Sequence, residues 1–187
     1  GIQSETDSSY WNFCISVRGI AANESSYNAN ICDRGALALL IRLCSTSKSP
    51  EVILAAASAI AELAADGRSR RKLLQLSGVK PLCSLLRDAC EAEGRGTATL
   101  AEQQMISLVA FAVSRLAIDP LIRSELARVG AIAPLAELCR HSRNRVTLHA
   151  CCMALSNLSF ENAANKARIV SGGAVQAIVR ILGKETE

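Results

Sequence analysis

Cysteine and histidine are the side chains best suited to hold a metal, form disulfides or act as nucleophiles, and the sequence carries eight of the first and two of the second. The nearest approach to a soft-metal donor set is Cys139, His141, His149 and Cys151. Its spacing is poor, because residues two apart on a helix point to different faces. No C-x-x-C pair exists, and Cys44, Cys83, Cys139, Cys151 and Cys152 stand among Leu, Ile and Ala. The cysteines therefore read as reduced, small hydrophobes buried within helices. That usage, with no secretory leader pattern at the start, sets the expectation of a cytoplasmic or nuclear protein. G-x-S-x-G, H-E-x-x-H and a phosphate-cradling glycine loop are all missing. The sequence thus predicts no catalytic residue, no metal site and no cofactor, in a protein that is not an enzyme.

Half of the 187 residues are apolar while only 3% are aromatic, so the core must be built from Ala, Leu, Ile, Val and Cys. One domain's worth of such residues is ample for a sizeable core, and the profile disfavours disorder. The longest nearly apolar stretch, 52–65, is interrupted by Ser58 and Glu62 and is too short to span a membrane. A formal net charge of +4 is far from the dense basic stripe that phosphate backbones demand, so no nucleic-acid partner is expected.

Self-similarity decides how these residues are arranged. Ser16-Val-Arg-Gly-Ile20, Ala59-Ile-Ala-Glu-Leu63, Ala112-Val-Ser-Arg-Leu116 and Ala154-Leu-Ser-Asn-Leu158 align, and fifteen residues beyond each stands a second landmark, Gly35, Gly78, Ala131 or Gly173. Both landmarks recur at intervals of 43, 53 and 42 residues, a period found in helical repeats. The pairs Leu39/Leu43, Leu82/Leu86, Leu135/Cys139 and Ala177/Ile181 keep i, i+4 spacing, which predicts a short helix in each unit. Pro81 and Pro134 fall in the first turn of these helices, where a missing N–H breaks no bond. Asp119-Pro120 has the form of an N-cap followed by proline, and the Ala-rich stretches near 51–64 and 146–159 predict a longer helix per unit. The predicted core comprises Phe13, Ile20, Ile60, Leu63, Leu82, Leu86, Val113, Leu116, Leu135, Leu155 and Leu158.

The run Val146-Thr-Leu-His-Ala-Cys-Cys-Met-Ala-Leu-Ser-Asn-Leu-Ser159, followed by Asn165-Lys-Ala-Arg-Ile-Val-Ser-Gly-Gly-Ala174, resembles the armadillo repeat family, whose long third helix leads into the next unit's first helix and its Gly-Ala turn. The resemblance covers nearly the whole chain. It implies an all-α fold, a right-handed α-solenoid (superhelix) of about four armadillo repeats. In that register 1–187 form a single domain. A partial repeat at 1–25, with an orphan third helix near 8–21, precedes repeats at 26–65, 67–118 and 119–160 and a partial repeat at 161–187. The chain is then expected to be a fragment of a longer protein.

For function, the resemblance implies a protein-binding scaffold or adaptor that holds an extended peptide segment of a partner in a groove of third helices. An Asn on successive repeats binds the peptide backbone, its amide offering both donor and acceptor. Only Asn157 fills that position here, with Gly19, Glu62 and Arg115 at its equivalents. Four residues earlier on the same face lie Ile15, Ser58, Phe111 and Met153, and eight earlier Trp11, Leu54, Ser107 and His149. The Trp-Asn pairing of import receptors occurs in none of the repeats. The expected groove residues are therefore Asn157, Arg115, Glu62, Phe111, Met153, His149, Ser107 and Trp11. Phe111 and Met153 would anchor apolar side chains, Arg115 a carboxylate and Glu62 a basic residue. Plainer readings stand beside these: Phe111 and Met153 packed between third helices, and Arg115 paired with Glu62. The alternative function is a chaperone-like or cytoskeletal, myosin-handling armadillo adaptor with a broad apolar client surface.

Two basic runs lie outside that groove. Arg68, Arg70, Arg71 and Lys72 open a first helix against its macrodipole, and Arg140, His141, Arg143 and Arg145 form a looser run. Both are expected to be solvated surface. The insertion at 90–100, polar and with two glycines, is expected to be a mobile loop. At the ends, the row 178–182 and the residues Tyr10, Trp11 and Phe13 lack a covering helix in this register. Weak end-to-end self-association, or a stability below that of a longer parent, is the expectation.

Overall fold

The structure, a computed structural model, describes residues 2–96 and 99–183. Their regular structure is helical throughout: α1 (Ile2–Asn23), a 3-10 turn (Ser25–Tyr27), α2 (Asn28–Asp33), α3 (Ala36–Thr46), α4 (Pro50–Leu63), α5 (Gly67–Gln75), α6 (Val79–Gly94), α7 (Leu100–Leu116), α8 (Pro120–Arg128), α9 (Ile132–His141), α10 (Arg145–Ser159), α11 (Ala163–Ser171) and α12 (Ala174–Gly183). None of these helices is long and apolar enough to cross a membrane.

Polar side chains start most of them. Ser49 accepts from Val52 N at 3.3 Å ahead of Pro50 in α4. Asp66 accepts from Ser69 N at 2.8 Å to open α5, and Thr99 with Glu102 forms a reciprocal capping box on α7. Asp119 accepts from Leu121 N at 2.9 Å, with Pro120 in the first position of α8 as expected. Asn144 and Asn162 cap α10 and α11. Each oxygen satisfies N–H groups that no helical carbonyl reaches.

The helices fall into triplets, α2–α4, α5–α7 and α8–α10. α1 stands before them as a third helix, and α11 and α12 follow as a first and a second. Third helices stack in the order α1, α4, α7, α10, and second helices in the order α3, α6, α9, α12. In α4 the buried side chains include Ala55, Ala56, Ala57, Ala59 and Ala61, small enough for α1 and α7 to approach from both sides. The result is an all-α solenoid.

Of the predicted core, Ile60, Leu63, Leu82, Leu86, Val113, Leu116, Leu135, Leu155 and Leu158 are buried, and Phe13 is half-buried against them. Ile20 is instead 49% exposed and lines, with Phe13, Val17, Ile31 and Leu39, an open apolar cavity of about 360 Å³. Among third helices α1 packs against α4 alone, so a position that is interior in α4 or α7 lies at the surface here. The orphan helix is also longer than 8–21, beginning at Ile2. Part of the predicted insertion loop is helical, because α6 runs on through Glu91, Ala92 and Glu93 to Gly94. Thr97 and Ala98 of that insertion, residues 184–187, and the side chains of Ile181 and Leu182 in the apolar row lie outside the described residues.

The turn between first and second helices shifts one landmark. The left-handed residue is Gly35 (φ +89°), Ser77 (φ +54°), Gly130 (φ +88°) and Gly173 (φ +77°) in successive units. Gly78 and Ala131 stand one residue later, in right-handed backbone. At Gly78 the constraint is room rather than φ: a Cβ there would lie 2.6 Å from Ile41 Cδ1 and 2.7 Å from Leu73 Cδ1, so these side-chain ends would have to shift to admit it.

Neighbouring units are tied through their first helices. Arg70 of α5 donates to Ala64 O at 2.7 Å and Ala65 O at 3.1 Å, and its Nε lies 3.3 Å from the Asp119 carboxylate that caps α8. Arg123 of α8 donates to Ala117 O, Ile118 O and, at 2.7 Å, Phe160 O, with its guanidinium 5.3 Å from the Phe160 ring centre. Asn165 of α11 donates to Leu158 O at 2.8 Å. In the first unit Asn28 is fully buried, yet neither side-chain polar atom has a partner among the described residues.

Candidate functional site

The third-helix face is the surface on which the predicted groove residues converge, and each stands where its helix's packing places it. On α1, Trp11 is 43% exposed and Ile15 half-buried. On α4, Leu54 is half-buried and Ser58 buried, which leaves Glu62 as the polar group at the C-terminal end of that helix. On α7, Phe111 is half-buried against the core. Ser107 is buried and shares a 2.7 Å hydrogen bond with Thr147 Oγ1 of α10, so it joins third helices rather than facing a ligand. On α10, His149 is exposed and Met153 is 38% exposed.

The row that would meet a peptide backbone is engaged within the protein. Arg115 Nη1 donates to Glu62 Oε2 at 3.0 Å, and its guanidinium lies 5.8 Å from the Phe111 ring centre. Asn157 Nδ2 donates to Ser114 O at 2.8 Å. These bonds run from α4 to α7 and from α7 to α10, crossing each seam of the face. Of the alternatives open in the sequence, the Arg115–Glu62 pairing is the one the geometry adopts. The Asn157 side-chain oxygen has no such tie among the described residues, and Met153 and His149 remain exposed beside it.

Val146 belongs with these residues. It is 66% exposed and precedes His149, Met153 and Asn157 at helical spacing, completing an open strip along α10. The spacing was the available signal, but Val146 begins an apolar run whose other members, such as Ala150, Cys151 and Ala154, are interior.

The cysteines and histidines do not assemble a metal centre. Cys139 and Cys151 are buried, His141 sits on the surface with Nε2 3.1 Å from Glu137 Oε2, and His149 faces outward. No metal-binding cluster occurs among the described residues. All eight thiols are free. Burial pushes Cys14 up to about 11 and Cys44 and Cys83 up to about 12. A hydrogen bond with Cys151, partly offset by one with Cys152, and then burial, push Cys139 up to about 12. Thiols so far above neutrality are poor nucleophiles and poor ligands.

Arg70, within the first basic run, is one of the inter-unit ties. In the second run, Arg140 pairs with Glu137, while Arg143 is exposed in the turn before α10.

No protein-family model matches the chain, and no curated protein matches its sequence. Its fold does match solved structures. A designed armadillo repeat protein, 24% identical, aligns over 90% of this chain and 66% of its own with a TM-score of 0.77. Computationally designed armadillo repeat proteins for modular peptide recognition align at 23% identity over 90% and 66%, with a TM-score of 0.76. An engineered protein from a structural genomics consortium aligns at 25% identity over 90% and 38%, with a TM-score of 0.76. The chain spans just under two thirds of the length of the first two.

Proposed function

We propose that this chain, an armadillo-fold solenoid, is a non-enzymatic scaffold that binds an extended peptide segment of a partner along its third-helix face. The observation that carries the reading is the open strip Val146, His149, Met153 and Asn157 on α10, beside Phe111 and Arg115 of α7. It pairs exposed apolar groups with an amide oxygen that accepts no hydrogen bond among the described residues, the combination that recognises a side chain and its backbone together. Supporting it, solved structures of the same fold include proteins designed for modular peptide recognition. Glu62 and Arg115 hold each other, so anchoring falls to α10 and to Trp11 of α1, with Asn157 contributing its acceptor.

Selection of random dodecapeptides on the whole chain, followed by hydrogen exchange of the complex, tests this reading. Selected peptides should protect amides of α7 and α10, and Met153→Glu should weaken them about tenfold, a loss of roughly 1.4 kcal/mol. Failure to select any short peptide, with suppression of aggregation of an unfolded protein instead, would favour the broad-surface adaptor.

A further inference from the structure

We propose that the edge formed by the first helices α2 and α5 is a second docking site, for an acidic peptide segment of a partner protein. Arg68, Arg71, Lys72 and Gln75 recur at helical spacing and share one side of α5. That side, with Cys32 and Asp33 of α2, lines an open pocket of about 220 Å³. At roughly 30 Å³ per water, the space admits a carboxylate with its neighbouring waters.

The basic run divides at this helix. Arg70 turns inward and is tied to Ala64 O, Ala65 O and Asp119. Arg68 and Arg71 are exposed and have no hydrogen-bond or ion-pair partner among the described residues. Lys72 comes no nearer than 3.9 Å to Asp33, and 40% of its side chain is exposed. Two acids beside this side, Asp33 near Lys72 and Asp66 near Arg68, offset the three cations only in part. Asp33 has a side chain 75% exposed, and Asp66 accepts from both Ser69 N and Ser69 Oγ at the helix start.

The Asp66 carboxylate caps the start of α5 and offsets the helix dipole there, so the positive field of this side comes from the side chains of Arg68, Arg71 and Lys72. Planar guanidinium groups match carboxylates in paired hydrogen bonds, and the Gln75 amide adds a donor on the same side. Three cations gathered in one pocket do not form the extended stripe that follows a nucleic-acid backbone. They suit two or three acidic side chains on a short segment.

The test is fluorescence anisotropy with three labelled probes: a peptide bearing four glutamates, its glutamine counterpart and oligo-dT. Each is titrated with the whole chain at low and at physiological ionic strength. The glutamate peptide should bind in preference to both other probes, and more weakly as salt rises. The double variant Arg68→Glu/Arg71→Glu should weaken it at least tenfold. Arg143→Glu/Lys166→Glu makes the same change in net charge at exposed residues of the α9–α10 turn and α11, and should alter binding less than twofold. Gln75→Lys should tighten it about threefold, and melting by circular dichroism reports that each variant is folded. The proposal is overturned by absence of glutamate-peptide binding, by equal loss in the two double variants, or by stronger oligo-dT binding that depends on Arg68 and Arg71.

Discussion

Arg115 of α7 donates to Glu62 of α4 at 3.0 Å, so two positions that the repeat superposes are bonded to each other across neighbouring units. A residue type that departs from the repeat at one unit is matched by a complementary departure at the next. Asn157 makes the adjoining link, to the Ser114 carbonyl.

Both side chains of the ion pair keep a quarter or more of their surface in water, 29% and 25%, which screens their attraction. A double-mutant cycle with Arg115→Ala and Glu62→Ala should give a coupling of about 0.5–1 kcal/mol in urea unfolding. Asn157→Ala should cost about 1 kcal/mol through the lost bond to Ser114 O. Zero coupling would place the two side chains apart in solution.

Asn28 and Asn165 are both buried on first helices and should respond oppositely to removal. Asn165→Ala leaves the Leu158 carbonyl without its donor and should cost about 1–3 kcal/mol. Asn28→Leu removes two buried polar atoms without partners and should be neutral or stabilising by about 1 kcal/mol. Equal destabilisation by the two would show that Asn28 is satisfied in solution.

Asp66 makes stability depend on acid. Desolvation acts to raise its pKa, but the hydrogen bonds from Ser69 and the charge of Arg68 together hold it below the ordinary carboxylate value. A depressed folded pKa contributes stability that is fully present above the unfolded value, near 3.9, and is lost as pH falls through the folded one. Asp66→Asn keeps a capping oxygen but does not titrate. The melting temperature of the wild type should therefore exceed that of the variant at neutral pH and converge with it in acid, and a constant difference would contradict the assignment.

Alkylation should divide the thiols by position. Cys90 and Cys152 are half-buried and should react first with iodoacetamide, slowly because burial raises Cys90 and a hydrogen bond with Cys139 raises Cys152. Cys14, Cys32, Cys44, Cys83, Cys139 and Cys151 are buried and should react only on unfolding. Peptide mapping after timed quenching reads the order, and early labelling of Cys44 or Cys83 would mean that the α3–α6 region opens readily.

The helices were legible because their signals are local: a cap, a proline, an apolar spacing. Gly78 shows where locality ends. It aligns with Gly35 and Gly173 as a landmark of the repeat, but the left-handed φ of this unit falls on Ser77, and a Cβ at Gly78 would crowd Ile41, a residue of the preceding unit. Ser107 was hidden in the same way, since it shares its repeat position with the exposed Trp11 and His149 while Thr147, forty residues on, takes its hydroxyl. Ile20 carries the pattern of an interior residue, and its exposure depends on which helices stand beside α1. Helical periodicity reports the face of a helix. What lies across from that face is set by the stacking.

Arg70 holds the end of α4 and the start of α8 with one guanidinium, and Arg123 joins the end of α7 to Phe160 in the same manner. Mechanically these are rivets placed at the joints between segments, and such a rod transmits load from one segment to the next. At Asn28 no such rivet is formed among the described residues. Pulled from its two termini, the molecule should peel first at α1 and α2, after which the two riveted segments should yield together in a single larger force peak.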